Sequence, residues 1–168
     1  MGRVYWITGL SGAGKTTIGK LFFEKLKTRE DNVVFLDGDT LRQVFGDDLG
    51  YTEEARRKCA MRYSRLCALL GSQGIDVVIC TISMFDEVRG WNHENIADYK
   101  EIYIRVPMEV LRQRDQKGLY SGNTSEKETD LVGVDIQFEE PKTPDVILDN
   151  DGTVSPEKQV EILWSLLF

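Results

Sequence analysis

Nine consecutive residues, Gly9-Leu10-Ser11-Gly12-Ala13-Gly14-Lys15-Thr16-Thr17, carry the spacing GxxxxGK[ST]. Each residue type has a job at its place. Glycines at 9, 12 and 14 let the backbone curl, so the N–H groups from Ser11 through Thr17, with Ala13 among them, point inward at an anion. A helix that starts at the end of such a loop adds its positive N-terminal end. Lys15 supplies a mobile point charge for the β- and γ-phosphates, and the Thr16 hydroxyl is a ligand suited to Mg²⁺. The motif therefore predicts a nucleoside triphosphate site.

A second cluster is Asp37-Gly38-Asp39, with Arg42 one turn later. Beside a phosphate loop, one of its carboxylates can hold the metal's water shell while the other orients or deprotonates an acceptor hydroxyl. Spacing does not say which does which. The third apolar run ends Ile79-Cys80-Thr81 without an acidic residue, which places more weight on Asp37 as a metal-side carboxylate. Arg56, Arg57 and Arg62 lie on one helical stretch. Arg56 falls in its first turn, where a cation opposes the helix dipole, a placement that points to function rather than local stability. Arg112, Arg114 and Lys117 lead into a long polar segment, and arginines there can clamp phosphates. The sole histidine, His93, reads as a surface residue. Trp6, Trp91 and Trp164 read as packing residues.

These groups need a scaffold that brings them to one edge. Apolar runs at residues 4–8, 33–36, 76–81, 101–106 and 146–148 read as five short strands. Helical patterns fall between them at 17–27, 40–45, 53–73, 85–97 and 107–115, and a last one runs to 167 behind the cap Ser155-Pro156-Glu157. Thr52 has the position of an N-cap for the long third helix. Alternation of apolar strands with helices predicts an α/β fold, a five-stranded parallel sheet covered on both faces, with the site at the carboxyl ends of the strands. Residues 116–144 are polar and interrupted by Gly118, Gly122, Gly133 and Pro141. They read as a lid segment rather than regular structure.

The 168 residues fit one domain. A net charge of −7 gives no general attraction to nucleic acid or to an anionic membrane, so anionic ligands must be held by local cations. No apolar run approaches membrane-spanning length. The first strand begins within a few residues of Met1, which leaves no room for a secretory signal. Cys59, Cys67 and Cys80 lack metal-ligand spacing and read as reduced, buried thiols. A cytoplasmic protein is expected.

Taken together, GLSGAGKTT, LDGDTLR with the following DLGYT, Arg56, Ile82-Ser83, VPMEVLRQRDQKGLY and FEEPKTPDVIL resemble the adenylylsulfate kinases along nearly the whole chain. These are P-loop enzymes that phosphorylate the ribose 3′-hydroxyl of adenosine 5′-phosphosulfate. The resemblance implies a P-loop NTPase fold, ATP and Mg²⁺ as cofactors, a small nucleotide acceptor, a closing lid and a homodimer. By residue, it implies that Lys15 and Thr16 hold ATP·Mg²⁺ and that Asp37 is the base. Asp39, Arg42, Arg56, Ile82, Ser83 and Lys117 would then hold the acceptor, and Arg114 the ATP. Ser83 matches a serine described in that family as a phosphorylated intermediate; direct in-line transfer is the expected route.

The departures from the family's pattern fall on the acceptor pocket. Two stacking phenylalanines read Tyr51 and Leu131, an asparagine reads Cys59, and a further phenylalanine reads Thr81. ISPxR reads Ile82-Ser83-Met84-Phe85-Asp86, and a lysine pair reads Ser121-Gly122. One aromatic face, one polar reader and several positive charges are lost while the ATP machinery is intact. An acidic Asp86 near a sulfate would oppose its binding. The pattern looks most like the branch acting on cytidine diphosphoramidate in capsular phosphoramidate synthesis, with adenylylsulfate as the alternative acceptor. A small-metabolite kinase and a non-catalytic nucleotide-binding module are the readings from other classes.

Overall fold

In the computed structural model, which describes residues 1–46, 48–114, 118 and 137–168, five parallel strands form one sheet in the order β2-β3-β1-β4-β5. The strands are β1 (Val4–Thr8), β2 (Val33–Asp37), β3 (Asp76–Thr81), β4 (Tyr99–Arg105) and β5 (Val146–Asp149). The helices are α1 (Lys15–Lys27), α2 (Gly38–Val44), α3 (Glu53–Ser72), α4 (Asp86–Asn95), α5 (Met108–Arg114) and α6 (Pro156–Leu167). β1 is central and buried at all five positions, as a strand covered on both faces must be.

Alternate residues of β1 face opposite layers. Tyr5 meets Phe22 of α1 edge-on at 5.0 Å, while Trp6 on the other face approaches Tyr99 at 6.5 Å. α1 buries Ile18, Phe22 and Leu26 at intervals of four residues against the sheet. Its Gly19 lies so close that a Cβ there would sit 2.2 Å from the Cys80 sulfur. α6 packs beside α1, and α3 packs beside α4 on the opposite face. α3 lies close to the sheet because its buried stripe is rich in small residues: Ala55, Cys59, Ala60, Ser64 and Gly71.

Several ends follow their local chemistry. The Thr52 hydroxyl accepts from Ala55 N at 3.2 Å, and Ser155 accepts from Lys158 N at 3.3 Å. Other boundaries differ from the sequence pattern. α1 begins at Lys15, two residues early, because the loop itself turns into the first helical turn. α2 begins at Gly38 rather than residue 40, since the Asp37 side chain caps it by accepting from Asp39 N. β4 starts at Tyr99, two residues before the apolar run suggested. His93 lies on α4 with nearly half its side chain exposed, against Glu101 Oε2 at 3.3 Å. Lys117, Leu131 and most of the segment 116–144 lie outside the described residues; residues 137–144 run into β5.

Candidate active site

β1 ends at Thr8, and residues 9–14 turn across the carboxyl edge of the sheet into α1. Gly14, the N-cap of α1, has φ +94, a left-handed conformation that disfavours any side chain. The loop is braced from below. Asn150, buried just past β5, donates its Nδ2 to the Ala13 carbonyl at 2.8 Å. A Cβ at Gly14 would come within 2.6 Å of that same nitrogen. Arg114 at the end of α5 reaches the Gly12 carbonyl at 3.3 Å and the Asn150 carbonyl at 2.7 Å. Lys15 Nζ donates to the Leu10 carbonyl at 2.8 Å.

β3 separates β1 from β2, yet the start of α1 reaches the end of β2 through side chains. The Thr16 hydroxyl donates to Asp37 Oδ2 at 2.8 Å, and Asp37 Oδ1 accepts from Asp39 N at 3.0 Å. Between them, the Cys80 thiol donates to the Lys15 carbonyl at 3.2 Å. Burial pushes that thiol's pKa well up, so it stays a neutral donor. The Thr16 hydroxyl and the Asp37 carboxylate form a pair of hard oxygen donors at the start of α1, a donor set that fits Mg²⁺ completed by phosphate oxygens and water.

The cleft continues from the P-loop to the acceptor side. Its lining includes Ser11, Lys15, Thr16, Asp37, Asp39, Arg42, Arg56, Cys59, Ile82 and Ser83, so one cavity gathers most of the sequence-predicted site residues. Arg42 Nη1 donates to the Gly50 carbonyl at 2.6 Å, and Arg56 Nε donates to the Tyr51 carbonyl at 2.9 Å. Both guanidinium groups also lie against the Tyr51 ring, at 4.4 and 5.3 Å from its centroid. The Tyr51 ring thus backs both cations. At the end of β3, Thr81 and Ser83 share a hydroxyl–hydroxyl hydrogen bond of 2.7 Å. Ser83 has φ +29, and Thr8 holds the neighbouring Ile82 carbonyl. The serine is therefore fixed by its surroundings in a conformation it would not choose alone.

Asp86 does not bring a bare negative charge to the acceptor. Its carboxylate is paired with Lys142 at 2.9 Å and with Arg89, and these contacts, Lys142 first, hold its pKa below the usual carboxylate range. Arg57 pairs with Glu53 at 2.8 Å and Arg62 with Asp48 at 3.1 Å, both at the protein surface.

Sequence reasoning did not place Ala60, Tyr63, Cys80 and Phe85 in the cleft, nor Asn150 behind the loop. The signal for Tyr63 and Ala60 was helical spacing from Arg56, which puts 56, 59, 60 and 63 on one face. Asn150 had only its place after a strand at the carboxyl edge of the sheet.

A phosphate loop braced on the sheet edge, a carboxylate turn and two arginines in one cleft define a P-loop phosphotransferase. Residues 1–149 match the adenylylsulphate kinase family model, and the chain belongs to that family. It is 40% identical over 160 residues to the cytidine diphosphoramidate kinase of Campylobacter jejuni, covering 95% of this chain and 93% of that one. It is 36% identical to a probable adenylyl-sulfate kinase of Archaeoglobus fulgidus, covering 90% and 97%. The fold matches the Mycobacterium tuberculosis APS kinase CysC, solved with AMPPNP and APS, at a TM-score of 0.87 and 31% identity over 99% of this chain and 97% of that one. The Aquifex aeolicus shikimate kinase shares the fold at a TM-score of 0.61 and 20% identity. The chain is a kinase. Among the described residues, no helix is long and apolar enough to cross a membrane.

Proposed function

We propose that the protein transfers the γ-phosphoryl group of ATP to the ribose 3′-hydroxyl of a nucleotide anhydride, with cytidine diphosphoramidate as the acceptor. The observation that carries this reading is the single cleft joining Lys15 and Thr16 to Asp37, Asp39, Arg42 and Arg56. The P-loop amides and Lys15 hold the β- and γ-phosphates, and Arg114 lies at the loop's far side. Thr16 and Asp37 would hold Mg²⁺, which supplies charge neutralisation for those phosphates. Asp37 takes the proton from the 3′-hydroxyl. The freed oxygen forms a bond to the γ-phosphorus as the bond to the β-phosphate oxygen breaks, and ADP leaves. Asp39 orients the ribose, and Arg42 and Arg56 hold the acceptor's phosphates.

The acceptor assignment rests on the pocket wall and on kinship. Cys59, Tyr63 and Thr81 line the acceptor side, where the family's asparagine and phenylalanine are replaced at 59 and 81. The identity to the Campylobacter enzyme, named for cytidine diphosphoramidate, exceeds that to the adenylyl-sulfate kinase of Archaeoglobus fulgidus. Adenylylsulfate is the second reading, favoured by the match to the APS-bound Mycobacterium fold. A small cytoplasmic enzyme working on a soluble nucleotide fits both.

The test is coupled ADP release with ATP·Mg²⁺ and each acceptor in turn. A kcat/KM that is higher for cytidine diphosphoramidate by about tenfold or more supports the assignment. A preference for adenylylsulfate moves the protein to the second reading. No turnover with either sinks both.

A further inference from the structure

Asp37 and Asp39 are joined by Gly38, and the backbone of that turn is gripped from α3. Tyr63 donates its hydroxyl to the Gly38 carbonyl at 2.9 Å. The same phenol oxygen accepts from the Cys59 thiol, one turn earlier on α3, at 2.9 Å. The thiol occupies the phenol's acceptor side, so the phenol proton is directed at the carbonyl. The Tyr63 ring also stacks on Phe45, just past α2, with centroids 6.1 Å apart and planes 19° apart. Tyr63 therefore touches both ends of α2.

The helix α2 is seven residues long, and Leu41 is its one buried side chain. On the side facing the sheet, Gly38 backs onto β3: a Cβ there would lie 3.2 Å from Thr81 Oγ1 and 3.4 Å from the Cys80 carbonyl. The carboxylate turn is thus wedged between β3 and the Tyr63 hydroxyl. Burial raises the Tyr63 pKa well above its ordinary value, so the phenol remains a donor throughout the working pH range.

We propose that Tyr63 is a positioning residue for phosphoryl transfer, holding the Gly38 carbonyl so that Asp37 and Asp39 keep their reach to the acceptor hydroxyl. Cys59 is its partner: the thiol selects the phenol rotamer that makes the contact. The inference rests on the proposed reaction, in which that carboxylate pair meets the hydroxyl. It assigns the Cys59–Tyr63 pair to the geometry of the turn as well as to the pocket wall.

The experiment uses Tyr63→Phe in the full chain, with kinetics and amide hydrogen exchange read together. The ring and its stack on Phe45 remain, and only the hydroxyl goes. The expected result is a kcat lower by about tenfold, as for a slightly misplaced catalytic group, with KM for ATP unchanged. Exchange at the Asp39 amide, which is bonded to Asp37, should quicken, while amides in the middle of α3 keep their protection. An unchanged kcat overturns the proposal, and so does unchanged exchange at Asp39. If the wild-type protein turns over neither acceptor, the functional reading fails on its own, and exchange at Asp39 alone decides whether Tyr63 holds the turn. Should Tyr63→Phe not fold, Cys59→Ala is read in the same way, with the same signs and smaller changes; wild-type values in that variant overturn the proposal.

Discussion

The two halves of the cleft are built by different means. The donor half, residues 9–17, is made of main chain: a left-handed Gly14, an Ala13 amide bonded back to the Leu10 carbonyl, and carbonyls of Gly12 and Ala13 held by Arg114 and Asn150. The acceptor half is made of side chains held by other side chains and by loop carbonyls. Arg42 and Arg56 lie on Tyr51, Cys59 and Tyr63 bond to each other, and Thr81 bonds to Ser83. A main-chain site depends on one backbone path, so the glycines that set that path tolerate little variation. A side-chain site can change its ligand one residue at a time. A cleft built this way can keep its phosphate loop while its other side changes, as the resemblance implies for positions 51, 59, 81 and 86.

Substitutions can break this contrast at several depths. The largest effect is expected from Asp37→Asn, which removes the proposed base: turnover should fall about 10²–10⁴-fold while nucleotide titration still finds ATP bound. Near-normal ADP release would remove Asp37 from the chemistry. Lys15→Ala should cost about 10²–10³-fold in kcat/KM and, unlike the Asp37 change, should also weaken ATP binding. Equal loss of acceptor affinity in that variant would erase the line between the halves.

On the acceptor side, Arg56→Ala should raise KM for the acceptor about tenfold and leave KM for ATP alone, because the lost bonds are charge-assisted and local. Gly14→Ala should do the converse. The left-handed conformation alone costs about 1–2 kcal/mol and the clash with Asn150 adds to it, so Tm should drop by roughly 2–8 °C with a raised KM for ATP. An unchanged Tm would mean the loop is less committed than its geometry implies.

The smallest effect concerns pH. Contacts from Lys142 and Arg89 lower the Asp86 pKa in the folded state. Stabilisation by this carboxylate is therefore complete above the ordinary value near 4 and is lost as pH falls through the lower folded value. The pair is partly exposed, so the Tm difference between wild type and Asp86→Asn should be only about 1–3 °C at pH 7. That difference should close below about pH 4; one that instead widened on acidification would assign Asp86 another role.

What the sequence determined by itself was whatever depends on neighbours in the chain. The phosphate loop is contiguous, so its motif fixed both the strand before it and the helix after it. β1 and β3 were legible to the residue because their apolar runs have sharp ends, and Thr52 and Ser155 announced their helices by capping chemistry. Asp37 and Asp39 could be placed beside Thr16 because parallel strands deliver their carboxyl ends to one edge. Only the tertiary structure could decide what those groups rest on. Asn150 reaches Ala13 across 137 residues of chain, and Tyr63 reaches Gly38 across 25. Lys142, far along the chain, pairs with Asp86, and Arg89 reaches the carbonyl of Glu139, 50 residues on. Local sequence carries the periodicity of an element and the chemistry of its ends. Which side chain stands behind another depends on how elements far apart in the chain pack, and no local pattern encodes that.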